Sequence, residues 1–260
     1  MTYVRSLVTF VDVLGFRDLV TSDPSGENVL DVVSRFRAFG TEDLYDERAA
    51  RQGTALHFSD SIVRSVPLVA GRGWQSDRTA VIQELEDLTY LQGELAARGI
   101  LIRGAIAIGQ AHADSAGVFG PAVVDAYRLE STHAVFPRIV LHPDLATTYS
   151  TPGARGSGVY ADDDVLLTRT SDDGLQFVDY LRNFPREVHE QTSEQEETVR
   201  SYAVPRKALI ESNLAKQFAL STVRTKYAWL ARYHDDVARE FLGDRATDLL
   251  VGLRTPETSP

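Results

Sequence analysis

The stretch Val8-Thr9-Phe10-Val11-Asp12-Val13-Leu14-Gly15-Phe16 constrains the fold more than any other part of the chain. Its apolar and β-branched run reads as a buried strand. One carboxylate, Asp12, interrupts the run, and Gly15 follows three residues later. A lone carboxylate in such a strand costs several kcal/mol unless a metal ion, an arginine or the free amides of a helix start compensate it. Leu14 to Val20 has the composition to begin such a helix, with Gly15 letting the backbone approach a ligand. A second stretch, Thr54-Ala55-Leu56-His57-Phe58-Ser59-Asp60-Ser61-Ile62-Val63, repeats the theme, with Asp60 between two apolar runs where a tight hairpin exposes it. The expectation is two carboxylates at strand ends.

Taken in order, the spacing predicts a first strand over Arg5 to Val13 and a short helical start from Gly15 to Thr21. Val29, Leu30, Val33, Phe36, Phe39 and Leu44 predict a helix from Glu27 to about Arg51. Two strands joined at Asp60 follow, then a break at Gly71-Arg72-Gly73. Val81, Leu85, Leu88, Leu91 and Leu95 share one face of a second long helix, which Gly99 is placed to stop. Ile100 to Ile108 reads as a strand, Gly109 to Gly120 as a turn or loose hairpin, and Pro121 to Thr132 as a helix with proline in its first turn. Arg138 to Leu141 is a short strand and Pro143 to Gly158 a loop. Val159-Tyr160, Val165 to Thr170 and Leu175 to Leu181 read as strand pieces. Beyond a polar, acidic passage from Glu187 to Glu197, two helices are expected at about Val199 to Phe218 and Ser221 to Phe241.

This order predicts an α+β fold, a mainly antiparallel sheet covered by helices. A strand separated from a hairpin by helices suggests the ferredoxin-like palm arrangement, which brings distant carboxylates together at neighbouring strand ends. The expected division is a catalytic domain over 1–183 and a C-terminal helical extension over 184–260, packed on the domain or used for docking.

Composition excludes several classes of function. The chain contains no cysteine, so disulfides, thiolate metal sites and cysteine nucleophiles drop out, and a cytoplasmic setting is the simplest. No apolar run is long enough to cross a bilayer, so no membrane partner is expected. A formal net charge of -10 argues against sequence-independent nucleic-acid binding, while leaving room for a small anion held by a few local arginines. The six histidines, His57, His112, His133, His142, His189 and His234, show no zinc spacing, and His57 reads as a packed strand residue. Asp162-Asp163-Asp164 lacks the ligand spacing of a calcium loop and reads as a solvated turn. No P-loop, dinucleotide fingerprint or Ser-His-Asp signature occurs.

Four blocks in sequence are familiar. Val11-Asp12-Val13-Leu14-Gly15-Phe16, then Phe58-Ser59-Asp60-Ser61, then Arg103-Gly104, then Phe119-Gly120 through Ala126-Tyr127-Arg128-Leu129-Glu130 resemble the ordered blocks of class III nucleotide cyclases over residues 5 to 142. The resemblance implies a ferredoxin-like cyclase homology domain acting as a head-to-tail homodimer with interfacial active sites. It assigns Asp12 and Asp60 to two divalent ions, Mg²⁺ or Mn²⁺, with the Val13 carbonyl as a further ligand. It assigns the amides of Leu14, Gly15 and Phe16 to the phosphates. Arg128, eight residues beyond Gly120, falls on the family's transition-state arginine and would act from the partner subunit.

The departures from the family bear on the substrate. Purine-using members carry a lysine four residues before the second aspartate and usually an aspartate three residues before the helix-starting glycine; here these positions hold Leu56 and Gly117. Neither can hydrogen-bond a purine edge through its side chain, and a site built on such bonds loses orders of magnitude without them. Val124 replaces the family's asparagine four residues before the arginine. Intact metal and arginine positions without purine readers resemble the pyrimidine cyclases of bacterial antiphage defence (Pycsar-type), as does Arg224-Thr225-Lys226-Tyr227-Ala228-Trp229-Leu230-Ala231-Arg232-Tyr233-His234. That resemblance implies cyclisation of a pyrimidine nucleoside triphosphate, UTP ahead of CTP, and a separate effector that responds to the cyclic nucleotide. A cyclase-like binding module without turnover and a purine cyclase with a rearranged pocket are the alternatives.

Overall fold

The computed structural model describes residues 2–41, 53–68, 77–149, 167–183, 194–216 and 221–253. Its first half runs β1 (Val4–Val13), α1 (Phe16–Ser22), α2 (Glu27–Thr41), β2 (Thr54–Phe58), β3 (Ser61–Pro67), α3 (Asp77–Ala97) and β4 (Ile102–Asp114). Then come β5 (Gly117–Phe119), α4 (Pro121–His133), β6 (Ile139–Leu141) and α5 (Pro143–Tyr149). The remainder is β7 (Thr168–Thr170), β8 (Gln176–Val178), α6 (Tyr180–Asn183), α7 (Gln195–Ala215), α8 (Ser221–Leu242) and a 3-10 helix, Gly243–Leu249. The break at Gly71-Arg72-Gly73, the strand piece Val159-Tyr160 and the acidic run Asp162-Asp163-Asp164 lie outside the described residues.

The sheet order is β2-β3-β1-β4-β6-β8-β7, with β5 paired to β4. Its first four strands are mutually antiparallel. This is the β-α-β-β-α-β order of the ferredoxin-like palm, extended by β6, which joins β4 in parallel. The fold is α+β, as its sequence predicts.

Strand alternation divides β1 between two layers. Leu7, Val11 and Val13 enter the main core with the α3 residues Val81, Leu85, Leu88, Leu91 and Leu95, the face that periodicity predicts. Val8 and Phe10 point the other way, onto α4 through Ala122 and Ala126. The first layer carries a buried polar knot as well as apolar packing. Arg64 of β3 bonds the Phe39 carbonyl at 3.1 Å and Asp87 of α3 at 3.2 Å, while the Thr9 hydroxyl donates to Glu84 at 2.6 Å. Such groups are tolerated inside only when partnered, so they fix how α3 sits on the sheet.

Three expectations need correction. Gly109 does not end the fourth strand, which runs on to Asp114 before turning back into β5. The glycine is there because α4 crosses it: a Cβ at Gly109 would lie 3.2 Å from the Cβ of Ala122. Pro143 starts a helix, α5, instead of a loop, with proline suited to the first turn and Leu145 anchoring it in the core. The strand expected over Leu175 to Leu181 is only Gln176–Val178, and helix α6 takes over at Tyr180.

The C-terminal helices share the main core. Trp229, Leu230, Ala231, Tyr233 and Val237 of α8 belong to the same buried cluster as Leu7 and Ile106 of the sheet. Trp229 stacks on Phe136 with ring centroids 5.5 Å apart and meets Phe177 edge-on. The fully buried Arg138 lies over the rings of Phe136 and Trp229. The Tyr233 hydroxyl donates to Asp179 at 2.6 Å and accepts the Leu181 amide at 3.0 Å. Trp229→Ala is expected to cost about 3–5 kcal/mol of stability, measured by urea unfolding of the whole chain. A loss below about 1 kcal/mol would show that α8 is only loosely attached.

Candidate active site

Asp12 is the penultimate residue of β1, and register determines its neighbours. A single row across the sheet reads Phe58, Ser61, Asp12, Arg103 on β2, β3, β1 and β4. The Ser61 hydroxyl donates to Asp12 Oδ1 at 3.0 Å, and Arg103 donates to Oδ2 through Nε at 3.4 Å and a terminal nitrogen at 3.3 Å. Arg103 also pairs with Glu130 Oε1 at 2.8 Å, tying this row to the last turns of α4. The compensator seen directly on Asp12 is therefore an arginine.

Asp60 stands at the turn between β2 and β3. Phe58 pairs with Ser61, so the turn is only Ser59-Asp60, and Ser59 takes φ +50° to close it. The Asp60 carbonyl accepts the Val13 amide at 3.0 Å, which fastens the turn to the end of β1. The two carboxylates are close enough for the Asp60 charge to act on Asp12. Burial pushes the Asp12 pKa above its ordinary value and the Asp60 charge pushes it further, while Ser61 and Arg103 oppose the rise. Glu130 is raised for the same reason, burial first and then the Asp12 charge, with Arg103 opposing. Asp12 and Glu130 thus share Arg103, while the Asp60 charge acts on Asp12.

Beyond Val13 the chain turns at Gly15, whose φ of +77° takes it into α1. No atom lies within 4 Å of where a Gly15 Cβ would sit, so the left-handed backbone alone accounts for the glycine. Of the three amides expected at a phosphate, that of Leu14 donates instead to the Leu101 carbonyl at 2.8 Å. Phe16 is the first residue of α1, where helical geometry leaves an N–H without an intrahelical acceptor.

Leu56 shares the Asp12 face, two residues along β2 from Phe58 and about 7 Å along the strand. His57, expected to be packed, points to the opposite face and is exposed. Gly117 starts β5, which packs against β2 and β3. Arg128 is not gathered with the carboxylates of its own chain. It is exposed on α4 beside exposed Val124 and Tyr127, while Ala126, Leu129 and Glu130 face inward.

Sequence reasoning passed over Ser61, Glu130 and Lys226. Ser61 and Glu130 lie next to recognised motif residues, but their contact with Asp12 depends on strand register and on the seat of α4. Lys226, on α8, feels the charges of both Asp12 and Arg103; burial and Arg103 push its pKa down and Asp12 pulls it up.

The donors available at Asp12 and Asp60 are hard carboxylate oxygens, with the Val13 carbonyl nearby in sequence. That set fits Mg²⁺ or Mn²⁺ better than softer metals. Among the described residues no group of three or more His, Cys, Asp or Glu side chains is placed to hold a metal ion, so the fit rests on the Asp12 and Asp60 pair alone. Among the same residues no helix is long and apolar enough to cross a membrane.

Because folding raises the Asp12 pKa, the stability it lends is present below its unfolded pKa and is lost as pH rises through the folded value. Asp12→Asn, which cannot ionise, is therefore expected to unfold at pH 7 at a temperature no lower than the native chain. Thermal melts at pH 7 check this, and a drop of several degrees would contradict it.

No family model matches the chain, and no curated protein matches it. Similar solved structures include a bacterial light-regulated adenylyl cyclase, at 17% identity and TM-score 0.37, covering 58% of this chain and 46% of that one. An adenylate/guanylate cyclase/hydrolase from Silicibacter pomeroyi matches at 14% identity and TM-score 0.40, covering 68% of this chain and 98% of its own. The catalytic core of a rhodopsin-guanylyl cyclase with converted specificity, in complex with ATPαS, matches at 14% identity and TM-score 0.39, covering 68% and 96%. This chain spans less than half the length of the light-regulated cyclase. Likeness of this degree bears on neither substrate nor residue roles, which rest on the geometry of this chain.

Proposed function

We propose that this chain is a nucleotide cyclase that converts a pyrimidine nucleoside triphosphate, UTP ahead of CTP, into the 3′,5′-cyclic monophosphate and pyrophosphate. The supporting observation is the pair Asp12 and Asp60, held at adjoining strand ends by the Val13–Asp60 backbone bond and close enough to repel. The ribose 3′-oxygen attacks the α-phosphorus of its own nucleotide, its proton passes to solvent, and the bond to the β-phosphate breaks.

Asp12, Asp60 and the Val13 carbonyl would hold two divalent ions, Mg²⁺ or Mn²⁺. When bound, these supply a lowered pKa at the 3′-hydroxyl and neutralise the triphosphate. Ser61 keeps one oxygen of Asp12 oriented, and Arg103 bonds the other while also pairing with Glu130. The Gly15 and Phe16 amides donate to phosphate oxygens at the start of α1. Leu56 gives the base an apolar wall, and Gly117 offers no side chain to a purine edge.

Arg128 of the partner subunit donates to the oxygens of the α-phosphate as charge grows there. A homodimer is supported by the exposed Val124, Tyr127, Phe58 and Phe119, apolar side chains of which Phe58 is 62% and Tyr127 54% exposed. In antiphage defence the cyclic product acts on a separate effector protein. The second reading, nucleotide binding without turnover, is favoured by Val124 where cyclases use asparagine.

Each of the four nucleoside triphosphates is incubated with the protein and Mn²⁺, and the products are separated. Cyclic UMP or CMP is expected to dominate; cyclic AMP or GMP would contradict the pyrimidine assignment, and bound but uncyclised nucleotide would favour the second reading. Asp12→Asn and Asp60→Asn are expected to abolish turnover, and Arg128→Ala to lower it about a hundredfold or more. Mixing Arg128→Ala with Asp60→Asn should restore part of the activity, because one interface of the mixed dimer is then intact. No recovery on mixing would count against a partner-supplied arginine.

A further inference from the structure

The hairpin of β4 and β5 holds an imidazole whose direction is set by a carboxylate. His112 Nε2 lies 2.8 Å from Asp114 Oδ2, while Asp114 Oδ1 accepts the Ala116 and Gly117 amides at 2.8 and 3.1 Å. One oxygen closes the turn and the other aims the ring. A carboxylate ionised at neutral pH only accepts, so Nε2 carries the hydrogen. In the neutral imidazole this leaves Nδ1 as an acceptor. Among the described residues Asp114 is the only hydrogen-bond partner of His112, so Nδ1 is free to bond a ligand.

Register puts a gap beside this ring. His112 pairs with Phe119 and Asp114 with Gly117, so the four residues share one face of the hairpin. Val118 turns to the other face and packs with Val8, Ala107 and Ala122. Gly117 places no side chain on the shared face, and even a Cβ there would stop 3.7 Å from the Phe119 ring. Phe119 is exposed, lies 4.9 Å from the imidazole between ring centroids, and meets the exposed Tyr3 edge-on. An open flat ring beside an oriented acceptor suits a planar heterocycle, which has apolar faces and a polar edge.

We propose that His112 selects uracil over cytosine, its Nδ1 accepting the N3–H of a base stacked on Phe119. This inference rests on the cyclase reading for the substrate and deepens it. Leu56 and Gly117 account for the purine contacts the pocket lacks, and His112 supplies the pyrimidine contact it makes. The two bases differ at N3, which carries a hydrogen in uracil and a lone pair in cytosine. Nδ1 bonds the first and meets the second lone pair to lone pair. A directed polar group of this kind discriminates against the analogue that leaves it unpaired. Asp114 is a positioning residue, acting on the base only through the tautomer of His112.

Asp114→Asn separates this role from a structural one. The Ala116 and Gly117 amides need an oxygen at the Oδ1 position, so the NH₂ of the substituted side chain faces His112 Nε2 and donates to it. Nε2 then accepts, Nδ1 carries the hydrogen, and the preference should turn from UTP to CTP. The test compares kcat/KM for UTP and CTP with Mn²⁺, and binding of each by titration calorimetry without Mn²⁺. It uses the full chain as native protein, His112→Ala and Asp114→Asn, with thermal melts showing that both variants fold. The native chain should favour UTP. His112→Ala should lower the UTP-to-CTP ratio about 10-fold or more, and Asp114→Asn should reverse the preference. Cyclic UMP formed with the same ratio by all three proteins, or a native preference for CTP, overturns the inference and leaves the cyclase reading. Binding that responds to both variants without any cyclic product removes the cyclase reading and leaves the uracil site. Neither turnover nor any preference in binding sinks both.

Discussion

The pairing of β1 with β4 is the constraint on which the rest of the structure depends. Ten residue pairs, from Val4 opposite Ala111 to Val13 opposite Ile102, hold these central strands in one register. That register sets Asp12 opposite Arg103 and turns both toward α4, while Leu7, Val11 and Val13 fill the opposite layer. A slip of one residue would send Asp12 into the apolar core and Val11 or Val13 onto the polar face. The burial of Leu7 and Val11 therefore specifies the position of a residue that is itself costly to bury.

That cost is spread over several partners instead of being met by one. Ser61 and Arg103 oppose the rise in the Asp12 pKa, and burial with the Asp60 charge sustains it. Arg103 is in turn shared with Glu130, so α4 is joined to the sheet by an ion pair at one end and by Ala122 and Ala126 along its length. A carboxylate held this way is under-compensated, which is a reason for a fold to keep it only if it has work to do. Local conflict with folding is expected where a site is functional.

Around this row the chain builds outward with different means on each side. On the α3 side, Arg64, Asp87, Glu84 and Thr9 form a closed polar knot inside an apolar layer. On the α8 side, Trp229, Phe136, Phe177 and Tyr233 lock together through ring contacts. The first fixes the scaffold beneath the strand ends. The second seats α8, whose Lys226 feels the charges of Asp12 and Arg103.

Periodicity and punctuation made most of the fold legible: α3 follows its apolar stripe, α4 begins at Pro121, and the β2–β3 hairpin turns at Ser59-Asp60. Where the reading failed, a local signal was overridden by a distant neighbour. Gly109 looked like a break because nothing near it in sequence reveals that α4 will cross there, and Pro143 looked like loop because its helix is short and anchored mainly by Leu145. Asp12 and Asp60 stood out as carboxylates in apolar runs, and Arg103 as an interruption of a strand. The sequence by itself thus determined the α+β class, the strand-and-helix order and the identity of the two strand-end carboxylates, because each follows from the pattern of a short segment. Only the tertiary structure decided that Ser61, Arg103 and Glu130 surround Asp12, that Leu14 spends its amide on Leu101, and that Lys226 feels the charges of Asp12 and Arg103. Those facts depend on register and on helix seating, which arise from contacts between segments far apart in the chain.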